Sequence, residues 1–151
     1  MEHKHIFEQH RELKVTQAKF NSLRQEAEPI LKQIGKELAS SLATAKKEHN
    51  FNSNRYYDDW ITSYHKILIE FDEDKINIEF WENGCRGDMD EHLYTIEVTE
   101  ELLTLEGREA YVARWIEEQK LMQYDAARNK KQENLEKIKR LEAEIKQLST
   151  N

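Results

Sequence analysis

One cysteine, one proline and four glycines are all that this 151-residue chain contains of the residues that staple, kink or loosen a backbone, and each scarcity excludes something. Cys85 alone cannot form an intramolecular disulfide, so no disulfide framework substitutes for a core, and the chain suits a reducing compartment such as the cytoplasm. The near absence of Pro and Gly, with apolar residues that keep a clear period, excludes a disordered or linker-like chain. No apolar stretch approaches the roughly 18 residues of a membrane span, and residues 1–7 carry charge where a signal peptide has its apolar segment; neither export by that route nor contact with a membrane is expected. The glycine signatures of P-loops, dinucleotide folds and nucleophile elbows are missing.

What is present is charge. Asp, Glu, Lys and Arg make up 35% of the chain against 38% hydrophobic residues, so the core is thin relative to the surface, as in helical hairpins and coiled coils. The net charge of −7 is unevenly placed. Residues 70–106 hold thirteen acidic and two basic side chains, while the flanking parts are each slightly basic. Such a middle segment repels phosphate backbones, whose binding requires Lys and Arg, so direct nucleic-acid binding is not expected.

The fold class that follows is α+β in one elongated domain: N-terminal helices over 1–49, a three-stranded antiparallel meander within 56–98 and a long C-terminal helix with coiled-coil character over 100–148. In the first part Leu13, Phe20, Leu23, Ala27, Ile30, Leu31, Ile34, Leu38 and Leu42 recur at helical spacing. Pro29 predicts a break or kink, because a helix-interior proline loses a backbone bond and crowds the preceding turn. Gly35 weakens the helix by roughly 1 kcal/mol relative to Ala, which packing must offset. Asn and Ser over 50–54 predict a turn. Residues 64–71, 75–81 and 92–98 alternate as strands. Pairing Phe71 with Ile76, Ile69 with Ile78 and Ile67 with Phe80 gathers six apolar residues on one face, with the turn at Glu73 and Asp74; a slip of one residue scatters them. Tyr94, Ile96 and Val98 extend that face. Thr99 or Thr104 caps the last helix, whose Val112, Trp115, Ile116, Leu121 and Met122 are expected to cover the sheet.

Two surfaces stand out as candidate sites. The far face of the sheet is expected to present Glu70, Glu79 and Glu97 beside Leu68, Trp81, Leu93 and Asn77, with Asp72, Glu73 and Asp74 at the hairpin tip. Carboxylates around an aromatic anchor suit a protein partner with a basic surface, the aromatic supplying buried area and the charge steering the encounter. The blander reading is a solvated face whose charges prevent edge-to-edge pairing. The second surface is the tail, where Ile138, Leu141, Ile145 and Leu148 follow an a, d, a, d pattern that suits homo-oligomerisation, against the alternative that it packs on the N-terminal helices of its own chain.

Catalytic and metal readings find less support. One Cys and one His seven positions apart lack the close pairs of a zinc site, and the run Asp88, Asp90, Glu91 lacks the ligand order of a calcium loop. A nucleophilic Cys85 needs a positioned base such as His92 or His65 and an oxyanion site, and nothing in the pattern supplies one. No cofactor is implied. The expected function is non-enzymatic protein binding or inhibition, with assembly through helices as the alternative; small, acidic, cysteine-poor chains of this composition are common among accessory proteins of phages and mobile elements.

Overall fold

A computed structural model describes residues 4–51, 60–85 and 87–150. Helix α1 (Lys4–Glu48) is followed by a single helical turn, α2 (Trp60–Ser63), the strands β1 (Lys66–Phe71), β2 (Ile76–Glu82) and β3 (Glu91–Glu97), a 3-10 turn (Glu100–Leu103) and helix α3 (Leu105–Thr150). The architecture is α+β, a three-stranded antiparallel sheet in the order β1-β2-β3 that lies between two long helices in chain order.

The strand register is the one that gathers the apolar residues: Phe71 pairs with Ile76, Ile69 with Ile78 and Ile67 with Phe80. Ile78 pairs in turn with Ile96, and Phe80 with Tyr94. The β1-β2 turn closes with the Asp72 amide donating to the Lys75 carbonyl at 2.9 Å, so Glu73 and Asp74 occupy its tip. Strand pairing continues one residue past β3, where the Val98 amide donates to the Ile76 carbonyl.

The core lies between the inner face of this sheet and the C-terminal part of α1. Leu31, Ile34, Leu38, Ala39 and Leu42 pack with Ile67, Ile69, Ile78, Phe80 and Ile96, and Trp60, Ile61 and Leu102 close the remaining sides. Trp60 stacks on Tyr94 with ring centroids 4.3 Å apart and lies 4.8 Å from Phe80. Gly35 faces the sheet where α1 comes closest: a methyl group there would stand 2.9 Å from Cγ2 of Ile78, so the missing side chain allows the helix to approach and compensates for its cost in helix propensity.

Of the break or kink expected at Pro29, the break does not occur; α1 is one helix of 45 residues with Pro29 inside it. The lost bond falls on the Gln25 carbonyl, on an exposed stretch where water can replace the missing donor. Both sides of the proline are also tied to the sheet. Upstream, Phe20 contacts Phe71 edge-on at 6.4 Å and the Arg24 guanidinium lies 5.1 Å from the centre of that ring. Downstream, Leu31 and Ile34 enter the core.

Helix α3 is capped by Thr104, whose hydroxyl accepts the Gly107 amide at 3.1 Å; Thr99 instead precedes the 3-10 turn and makes no side-chain cap. Arg114 reaches back to Glu101 with two hydrogen bonds, of 2.5 and 2.6 Å, pinning the turn to the helix. Tyr111, Val112 and Trp115 are half-buried against the core, but none of the 46 residues of α3 is fully buried. Leu121 and Met122, expected to cover the sheet, are 63% and 62% exposed, because the sheet ends before the helix reaches them.

The two long helices run in the same direction. Arg108 pairs with Glu37 at 3.4 Å, Val112 and Leu38 line a common groove, and Trp115 meets Phe51 edge-on at 5.8 Å. Two arms therefore project from opposite ends of the core: the N-terminal part of α1 and the C-terminal part of α3. The tail does not fold back on the N-terminal helix of its own chain. Of the segment expected to lead into the sheet, Trp60 is helical and 56–59 lie outside the described residues, as do Arg86 and the turn residues 52–54. No helix among the described residues is long and apolar enough to cross a membrane.

Candidate functional site

The outer face of the sheet consists of three cross-strand rows. Nearest the hairpin tip, Asn77 sits between Glu70 and Glu97; next, Glu79 sits between Leu68 and Thr95; last, Trp81 sits between Lys66 and His92. Period-2 alternation assigns these residues to the face opposite Ile67, Ile69, Ile78 and Phe80. Glu70, Glu79, Trp81 and Glu97 thus share one surface, and Asp72, Glu73 and Asp74 extend it at the hairpin end, all three exposed. Asp72 is fixed within the turn by accepting the Glu73 amide at 2.9 Å.

Leu93 is not on this face. A register shift opposite Phe80 and Trp81 inserts it as an extra residue in β3, and it packs against the core as a partly buried side chain. A bulge of this kind breaks the alternation from which its outward placement was expected.

Glu70 and Glu79 are neighbours on this face. Glu70 is raised above its ordinary value of 4.5, first because it shares a hydrogen bond with Glu79, with the charge of Glu79 adding to this and a hydrogen bond from Asn77 opposing it. Glu79 also accepts the indole N–H of Trp81 at 2.8 Å. Trp81 is therefore not a loose, fully exposed anchor: it is half-buried, with its ring edge-on to His92 at 5.1 Å. His92 Nε2 lies 2.6 Å from the Thr95 hydroxyl. Lys66, the one cation in these rows, pairs with Asp90, which also accepts the Gly84 amide; both bonds hold the Asp90 carboxyl below its usual range, the lysine's more strongly. The cation is thereby occupied by a loop carboxylate.

The tail presents a second surface. Ile138, Leu141, Ile145 and Leu148 are 51%, 57%, 66% and 77% exposed. Leu135, beside them at an e position, was outside the strict a, d template, though a 3.6-residue helical template would have included it. On the opposite arm Ile6, Leu13 and Phe20 recur at intervals of seven and are also exposed. Cys85 is exposed as well, and no three His, Cys, Asp or Glu side chains among the described residues are placed to share a metal ion.

Comparison with family models, with curated proteins and with solved structures finds no match to this chain. The functional reading rests on its own geometry.

Proposed function

We propose that this is a non-catalytic protein-binding or inhibitory protein that engages a basic macromolecular partner through the outer face of its sheet and self-associates through its helices. The observation that supports this most is the crowding of carboxylates on that face. Glu70 and Glu79 stand close enough for one to raise the proton affinity of the other, while Trp81 and Leu68 supply apolar area between them. A cationic side chain from a partner would relieve the repulsion, and burial of the indole would contribute non-polar contact; aromatic residues recur among the energetically dominant positions of interfaces.

Calorimetric titration with a panel of cationic proteins, at low and high salt, tests the reading. Binding should weaken with salt, and Trp81→Ala combined with Glu79→Lys should abolish it while leaving mass and helicity unchanged. Binding retained by that variant would remove the sheet from the account.

A second reading, an assembly or chaperone-like role in which the helices are the binding surface, draws on the apolar stripes of the two arms. In that case Ile138→Asp with Ile145→Asp should abolish assembly and activity together, and activity from a stable monomer would refute it.

A further inference from the structure

Every residue over 121–150 is exposed, so about 45 Å of α3 extends beyond the core carrying an apolar stripe. The described residues of its own chain do not cover this stripe, because α1 runs in the same direction as α3 and its apolar arm leaves from the other end of the core. We infer that the stripe is a seam for a second copy of the same chain, paired parallel and in register as a two-stranded coil. This deepens the self-association proposed above by fixing its partner, direction and stoichiometry, and it does not depend on what the sheet binds.

Two features of the sequence on this helix select that arrangement. The a positions are Ile138 and Ile145 and the d positions Leu141 and Leu148, and a β-branched residue at a with Leu at d favours two parallel strands. Charge selects the same direction. In a parallel pair Lys137 at g lies opposite Glu142 at e of the second copy, and symmetry forms this contact twice. The antiparallel alignment that keeps all four apolar residues together sets Ile138 against Leu148 and Leu141 against Ile145. It also sets Glu142 against Glu142 and Glu144 against Glu144. Sliding that alignment by a heptad separates the carboxylates but places Ile145 opposite Asn134 and Leu148 opposite Lys131, burying polar groups against the seam.

Lys131 at a and Asn134 at d bound the strongly apolar part to its last two heptads, so the dimer dissociates on dilution. Polar residues at such positions fix register at a cost in stability. A parallel seam leaves both sheets at the same end of the coil, where two acidic faces act on one partner or on two adjacent ones, and the second contact gains from the first through effective concentration.

Two single-cysteine variants test direction and register, Leu148→Cys and Ile138→Cys, each with Cys85→Ser so that the exposed native thiol does not contribute. Light scattering of the unaltered chain over a dilution series should show a dimer that falls to a monomer. Under mild oxidation Leu148→Cys should cross-link to itself, and an equimolar mixture of the two variants should give no excess of mixed disulfide. A monomer at every concentration, a trimeric or larger mass, or a mixed disulfide as the main product would each overturn the proposal. These measurements use the protein alone. If capture by the sheet fails while the dimer cross-links, only the sheet reading falls; if the dimer fails while capture survives, only this one does.

Discussion

Replacing Gly35 by Ala sets two effects of known size against each other. In an isolated helix Ala is favoured over Gly by about 0.8–1.0 kcal/mol, so propensity alone predicts stabilisation. The structure predicts the opposite. The new methyl would stand 2.9 Å from Ile78 Cγ2 and 3.4 Å from Ile67 Cδ1, and Ile78 is fully buried in the central strand, branched at Cβ and unable to move aside. Overpacking a dense core costs typically about 1–3 kcal/mol, so the net effect is a destabilisation of about 1 kcal/mol. Urea unfolding should be followed by tryptophan fluorescence, because Trp60 stacked on Tyr94 reports on the core whereas far-ultraviolet dichroism is dominated by the arms. With a slope of about 1–3 kcal/mol per molar urea, the midpoint should fall by about 0.3–1 M. The decisive comparison is a cycle with Ile78→Ala, which removes the obstructing methyl. In that background Gly35→Ala should change sign and stabilise by up to about 1 kcal/mol. Stabilisation by Gly35→Ala in the unaltered chain would refute the claim that close approach, rather than local flexibility, explains this glycine.

Three other outcomes are expected. Thr104→Ala removes the acceptor of the Gly107 amide and should cost about 1 kcal/mol, measured as a shift in the same urea midpoint, with Thr104→Ser retaining most of the stability. Burial, with Tyr94 and Glu118 adding to it, pushes Tyr111 up to about 12, so its contribution to stability is fully present below the ordinary value of 10.0 and is lost as pH rises through about 12. Ultraviolet titration of the folded protein should show one tyrosine ionising late, and Tyr111→Phe should remove it. Glu70, raised mainly by Glu79, favours the fold below its ordinary value of 4.5 and loses that contribution as pH rises through its folded value; carboxyl NMR titration should show Glu79→Gln returning it toward 4.5.

The sheet was the most legible part of the chain. Its register follows from six alternating apolar residues, since period-2 patterning leaves a single pairing that buries them all. The same alternation places Glu70, Glu79, Trp81 and Glu97 on one surface. It failed at Leu93, where one inserted residue shifts the phase, and it missed Lys66, His92 and Thr95, which lack the carboxylate signature that drew attention to the face. At Pro29 the sequence-based expectation used the local cost of a proline, whereas contacts on both sides of it, at Phe20 and Leu31, accompany a helix that continues through it.

The sequence by itself determined the three strands and the helical character of both ends, because helix and strand periods are local and each apolar residue carries its own preference for burial. Tertiary structure decided how the elements are used. Only packing shows that α1 and α3 run in the same direction, that their arms leave opposite ends of the core, and that the loop carboxylate of Asp90 occupies Lys66. These outcomes depend on contacts between residues far apart in the chain, whose energies no local pattern records.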